Sequence, residues 1–195
     1  LSSARERRPR DPAGRRQAIV EAATRVIARR GLGQLTHRLV ASEADVPVGS
    51  TTYYFGDLGE LREAALTHAA ATSAAHLEEW RRILDAGTDL PAALAQLTAD
   101  YLADHDRYRT LNELYLAASY RAELRPLARV WNEGIVALLE PRVGRRAAEA
   151  IAVFLDGAMS HPLATGTPLS TEALTDAIAR LADNRYDTRA PSRPR

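Results

Sequence analysis

The chain has 195 residues, 46% hydrophobic and 26% charged, the proportions of a folded globular protein rather than a disordered one. Cysteine is absent, which excludes disulfides and thiolate metal sites, and no apolar run approaches the ~20 residues a membrane span needs. Every basic residue is Arg, and the net charge of +1 conceals an asymmetry: residues 1–56 carry +5 and the remainder −4, which suits a polyanion-binding head on a body with another task. Ala, Leu and Arg dominate while Phe and Trp occur twice each, a bias toward helix. The Arg-rich start lacks an apolar signal core, so the expected compartment is the cytoplasm.

Residues 1–13, rich in Arg and holding two prolines, read as a disordered basic arm. From Gly14 to Arg30 the residues Ile19, Ala22, Ala23, Val26 and Ile27 recur at helical spacing, and Gly31 supplies a left-handed stop. Thr36 is a good N-cap for a short helix through Ala44 that buries Val40 and Ala44. Asp45 stands where the chain must turn, and Asp is one of the few residues that tolerate a left-handed backbone. Pro47 then permits a second short helix, Val48 to Tyr54, and the pair makes a helix-turn-helix. Gly56 breaks the chain, and Asp57 caps a long helix with the stripe Leu61, Ala65, His68, Thr72, His76, Trp80 and Ile83. Gly87 and Pro91 bracket a loop, and further helices are expected at 91–105, 107–122, 124–140, 145–164 and 170–184. Residues 185–195 read as a disordered tail. The expected fold class is all-α, with a three-helix helix-turn-helix domain at 14–57 and a larger helical domain at 58–184.

The segment from Thr36 to Phe55 carries most of the functional information. Thr36, Arg38, Val40, Ala41, Ala44, Val46, Gly49, Ser50, Tyr54 and Phe55 fall at the spacing T-x-R-x-[IV]-A-x-x-A-G-V-x-x-G-[ST]-x-Y-x-[HY]-F, allowing for the turn position. This resembles the DNA-binding domain of the tetracycline-repressor (TetR) family, and the helix Arg16 to Gly31 fits the family's first helix. Three departures stand out: Asp45 replaces the usual turn glycine, Thr51-Thr52 the common Leu-Tyr pair, and Leu58 the Lys that often opens the next helix. They imply one missing phosphate contact and an atypical operator.

Chemistry supports the resemblance. A helix that enters a major groove needs small side chains for its backbone to approach base edges, and Val48, Gly49, Ser50 and Thr52 provide them. Ser50 and Thr52 can hydrogen-bond bases or phosphates, and Val48 can meet a thymine methyl. Arg38 is the candidate for a bidentate guanine or phosphate contact, worth ~1–3 kcal/mol where it reads a base. Thr36 and His37, at a helix start, are placed to hold phosphate. Tyr53 is expected outward, with Tyr54 and Phe55 in the core.

For the body, the resemblance implies a ligand pocket among the middle helices and dimerisation through the last two. Candidate pocket residues are His76, Trp80, Tyr101, His105, Tyr108, Tyr115, Tyr120, Trp131 and His161; aromatics with polar tips suit small-molecule sites, although the same residues at helical spacing also serve as ordinary core. Candidate interface residues are Ile151, Phe154, Leu155, Ala158, Leu174, Ile178 and Leu181, because the segment Ala147 to Met159 is apolar nearly all round and the last helix carries a clean apolar stripe; the alternative is a deeply buried core helix. The histidines do not pair at metal-ligand spacing, Asp104-His105-Asp106 reads as a solvated cluster, and no nucleophile elbow, phosphate loop or dinucleotide fingerprint occurs. No catalytic residue, metal or cofactor is therefore expected. The expected partners are double-stranded operator DNA, a second copy of the chain and an unidentified small-molecule effector, with no membrane. Two rival readings are a DNA-binding protein without sequence preference and a helical enzyme or ligand carrier that holds a helix-turn-helix.

Overall fold

A computed structural model of the chain describes residues 12–87 and 89–183. Among them the elements are all helical: α1 (Pro12–Arg30), α2 (His37–Glu43), α3 (Val48–Tyr54), α4 (Leu58–Asp85), α5 (Leu90–Ala103), α6 (His105–Tyr120), α7 (Arg125–Val143), α8 (Arg145–Thr165) and α9 (Thr171–Ala182), with 3-10 turns at Leu32–Gln34 and Ala122–Leu124. They form two compact units, one ending at His68 and the other beginning at Ala69. This division falls later than the expected 57/58 because the first turns of α4 supply Leu61 and Ala65 to the core of the first unit. The expected arm and tail lie outside the described residues, apart from Pro12 and Ala13, which already belong to α1.

Local chemistry sets the helix ends. Thr36 Oγ1 accepts from the Leu39 N–H at 3.2 Å and opens α2. Asp45 takes a φ of 51°, which lets the Val46 N–H return to the Ala41 carbonyl at 3.0 Å and sharpens the turn into α3. A reciprocal cap opens α4: Asp57 Oδ1 accepts from the Glu60 N–H at 2.8 Å, and Glu60 Oε2 accepts from the Gly56 N–H at 2.7 Å. Gly166, at φ 75°, closes α8.

Two helical expectations need correction. Helix α7 runs through Pro141 to Val143 instead of stopping at 140; a proline in the last turn removes one hydrogen bond, and the Gly144 N–H still closes on the Glu140 carbonyl at 3.0 Å. On α4 the buried line is Leu66, Ala69, Ala70, Ser73, Leu77, Trp80 and Leu84, while His68, Thr72 and His76 run along its half-buried edge and Ile83 is exposed. Leu84, four residues after Trp80, takes the inner place expected for Ile83.

In the second unit α7 packs along α8 and α5 along α9. Its core is filled by Trp131, Ile135, Leu138 and Leu139 of α7, Ala148, Ile151 and Leu155 of α8, Leu94 of α5, and Leu174 and Ile178 of α9. Helices α4 and α7 approach closely at Gly134, where an added Cβ would overlap a methyl of Leu77. Overpacking of this kind costs roughly 1–3 kcal/mol, against about 1 kcal/mol gained by Ala over Gly in a helix. Gly134→Ala is therefore expected to destabilise the protein by about 1 kcal/mol. In a Leu77→Ala background the same change should become stabilising, and a double-mutant cycle of chemical unfolding reads that reversal of sign.

Candidate functional site

In the first unit α2 and α3 are held on α1 by Ile19, Ala23, Ile27, Val40 and Phe55, closed by Leu61 and Ala65. An ionic clamp adds direction: Arg25 Nε donates to Glu43 Oε1 at 2.7 Å, and Arg29 Nη1 lies 3.3 Å from Glu43 Oε2. The Arg25 hydrogen bond, opposed by desolvation and helped by the Arg29 charge, holds the Glu43 carboxyl below the usual carboxylate range. The Arg16 guanidinium lies 4.8 Å from the Phe55 ring centroid and covers the floor of the core.

Helix α3 is attached along one side. Thr51 is fully buried; its hydroxyl donates to the Val48 carbonyl at 2.8 Å and lies 3.2 Å from His37 Nδ1. Phe55 is buried and Tyr54 half-buried. On the other side Val48 is 46% and Tyr53 82% exposed, Thr52 is exposed, and a Cβ on Gly49 would meet nothing within 4 Å. Ser50 is half-buried. On α2 the side chain of Arg38 is exposed and makes no ion pair among the described residues, Thr36 uses its hydroxyl as the cap, and His37 is half-buried against Thr51.

In the second unit four of the pocket candidates come together. The Trp80 and Trp131 rings meet edge to face at 5.2 Å, Tyr101 lies 5.1 Å from Trp131, and His76 lies 6.2 Å from Tyr101. Tyr108 is buried on α6, Tyr120 and His161 are exposed, and His105 opens α6 with its side chain outside the described residues.

The sequence matched Asp156-Gly157 to the family without giving the carboxyl a role; the structure places it against Asn132 and Tyr115. Asp156 of α8 accepts from Asn132 Nδ2 of α7 at 3.1 Å on Oδ2, while Oδ1 is buried without a hydrogen-bond partner. The Tyr115 hydroxyl lies close enough to act on this carboxyl, yet neither it nor Oδ1 completes a hydrogen bond of normal geometry. Trp131 Nε1 is likewise buried and unpartnered. Ser160 links α8 to α6: its one hydroxyl proton is shared between the Asp156 carbonyl at 2.8 Å and Asn112 Oδ1 at 3.1 Å. Desolvation raises the Asp156 carboxyl above the usual range in spite of the Asn132 and Tyr115 contacts, and it raises the Tyr115 phenol too. An acidic residue inside the apolar run Ala152 to Met159 was the signal available in the sequence. Between α7 and α8, Asn132 also lines a groove of about 350 Å³ together with Glu133, Val136, Glu140, Arg145 and Glu149.

The expected interface residues are mostly core. Ile151, Leu155, Ala158, Leu174 and Ile178 are buried within the chain itself, because α8 packs on α7 and α9 on α5. Phe154 and Leu181 are half-buried. Helix α8 has a second apolar line, on its outer side: Val153 is 68% exposed, with Ala150 and Gly157 exposed a turn either way.

Comparison with known proteins agrees with this geometry. The family model for bacterial regulatory proteins of the tetR family matches residues 19–65, and that for the tetracyclin repressor-like C-terminal domain matches residues 86–184. The HTH-type transcriptional regulator BetI of Burkholderia thailandensis is 27% identical over 171 residues, spanning 82% of this chain and 87% of that protein. Among solved structures, the multidrug binding protein EbrR complexed with imidazole is 38% identical, covers 92% of this chain and 97% of its own, and superposes with a TM-score of 0.71. EbrR has also been solved with proflavin, malachite green and ethidium. A TetR-family member from Streptomyces coelicolor A3 is 41% identical, with 86% and 97% of the two chains covered and a TM-score of 0.75. Fold and sequence together define a helix-turn-helix regulator of transcription rather than an enzyme. The chain belongs to the tetracycline-repressor (TetR) family.

The raised carboxyl of Asp156 makes a prediction about stability. A group whose pKa is higher folded than unfolded adds stability as the pH falls through the folded value, and loses that contribution above it. Asp156→Asn is therefore expected to melt at the same temperature as the parent or higher at pH 7, with the parent gaining on the variant as the pH is lowered. Thermal melts across a pH series check the sign; a variant that loses most at pH 7 would contradict it.

Proposed function

We propose that the chain is a ligand-responsive repressor that acts as a homodimer on a palindromic operator. The observation that carries this reading is the bare outer side of α3, presented by a unit whose own core holds only the opposite side. Val48, Gly49, Ser50, Thr52 and Tyr53 enter the major groove, Arg38 reads a guanine or grips phosphate, and Thr36 and His37 hold phosphate. His37 does so through Nε2, since Nδ1 is engaged by Thr51. The residues through His68 form the DNA-binding head, and those from Ala69 form the ligand-binding and dimerisation body.

A second copy docks on the outer line of α8, through Ala150, Val153 and Gly157, with Phe154, Leu163 and Leu181 at its margin. Two copies of α3 then fall in successive major grooves, about 34 Å or a multiple apart. The effector occupies the aromatic cluster of the body; that EbrR is solved with small molecules supports a small-molecule effector for this chain. Because effector and operator are thermodynamically linked, a ligand that prefers the form with the wrong head spacing lowers operator affinity.

A gel-shift with the chain's own upstream region tests the reading, with random DNA as competitor. Operator-specific binding should exceed random binding by ~10³ or more, whereas equal affinity for both would identify a DNA-binding protein without sequence preference. Arg38→Ala is expected to weaken operator binding by roughly 5- to 150-fold and random binding less; equal losses would remove Arg38 as a base reader. Val153→Arg should turn a dimer into a monomer in analytical ultracentrifugation with its circular dichroism unchanged, and should weaken operator binding with it.

A further inference from the structure

We propose that His37 grips the DNA backbone only as the imidazolium, so that duplex binding takes up a proton at each α2 and strengthens as the pH falls. This rests on the phosphate contact proposed above and names its regulation. The first observation is a proton count at the seam between α2 and α3. Thr51 is fully buried, and its hydroxyl lies 2.8 Å from the Val48 carbonyl and 3.2 Å from His37 Nδ1. A hydroxyl has one proton and two lone pairs, and a carbonyl can only accept. The shorter contact has the length of a good O–H···O bond, so Thr51 donates to Val48. Its oxygen is then left as an acceptor, and His37 Nδ1 carries the proton of the longer contact.

The second observation is what this leaves facing away from the seam. A neutral imidazole has one N–H, and with that proton on Nδ1 the Nε2 atom is a bare lone pair. Phosphate oxygens also offer lone pairs, so the neutral ring and the DNA backbone repel each other. The opposite neutral tautomer would turn the Nδ1 lone pair on the Thr51 oxygen and leave the seam without its hydrogen bond. A second proton resolves both conflicts. Nδ1–H stays on Thr51, and Nε2–H meets phosphate as a charge-assisted donor. His37 is half-buried, so water can deliver that proton.

The third observation is the surrounding charge. Helix α2 packs against α1 and α3. Among the described residues, the carboxylates of α1 and α2 are Glu21, which accepts from Gln17 at 3.0 Å, and Glu43, which Arg25 and Arg29 engage. Glu43, like Asp45 in the following turn, stands at the opposite end of α2 from His37. The ionisable groups of α3 are the phenols of Tyr53 and Tyr54. Arg38 on α2 and Arg15, Arg16 and Arg30 on α1 are positive. The counter-charge for a protonated His37 therefore comes from the bound phosphate. Histidine is the side chain whose charge changes in the physiological range, so proton and duplex bind together.

The test titrates the full chain into labelled duplex, operator and random, by fluorescence anisotropy at about pH 6 and about pH 8, each over a salt series. Affinity should be at least about threefold higher at the lower pH. The plot of log K against log salt should be steeper there by about 0.9 per chain, the counter-ion equivalent of one more phosphate contact. His37→Gln, whose amide N–H needs no added proton, should lose most of both differences. Thr51→Val removes the acceptor that fixes the tautomer and should narrow the pH difference by strengthening binding at the higher pH. Equal parent affinity at the two pH values, or a difference that His37→Gln leaves intact, overturns the assignment. Phosphate contacts carry no sequence information, so random duplex reports the proton linkage as well as operator does. A chain that prefers its operator without this linkage loses this inference alone. One that shows the linkage with equal affinity for both duplexes loses the repressor reading alone.

Discussion

A helix of seven residues does not hold itself together in water, and the reading of this molecule depends on what holds α3. Its attachments lie at Thr51, buried and hydrogen-bonded to Val48 and His37, and at Phe55, which fills the core under Arg16. Where the family commonly places a Leu, this chain puts a hydroxyl at the α2–α3 seam. A buried hydroxyl is tolerated because its own helix supplies an acceptor, so the seam stays closed without a bulky residue. The outer side can then be made of Gly and small polar groups, since it contributes nothing to holding the helix. Glu43 and the two arginines of α1 fix the direction of α2, and the left-handed Asp45 fixes how α3 leaves it.

The body rests on a different balance. Its core is dense with Ala, Leu and Ile, yet α8 carries an aspartate into it, and no strong pairing compensates for the lost hydration. A chain selected for stability alone would place an apolar residue there. Local rules are broken most often where function requires it, and here the break coincides with a cluster of four aromatic side chains and two further polar atoms without partners.

Much of the fold was legible because it follows from local chemistry. The periodicity of Ile19 to Ile27, the Thr36 cap and the turn at Asp45 each have a short-range cause that a sequence displays directly. What sequence could not decide was which surface an apolar residue faces. Helix α8 has apolar residues on two sides, and periodicity does not say which side the same chain covers; Ile151 and Leu155 went inward, and Val153 remained outside. Ile83 and Leu84 posed the same choice on α4. The candidate site divided likewise. The aromatic residues could be named one by one, but that Trp80, Tyr101 and Trp131 meet is a consequence of how α4, α5 and α7 pack. Asp156 could be matched to the family together with Gly157, but a role for its carboxyl was not legible, because a lone acid gains meaning only when its helix is known to be packed on both sides.

That same residue has a place in the wiring of the body. Asp156 is joined to α7 through Asn132, and its carbonyl and Ser160 join α8 to Asn112 of α6. Asn112 in turn donates to the Tyr108 carbonyl within α6. Three helices of the body are therefore connected through Asp156 and Ser160. For a regulator such a connection matters, since a ligand moves an equilibrium only by as much as its affinities for the two states differ, and helices tied to one another by polar contacts change state together or not at all.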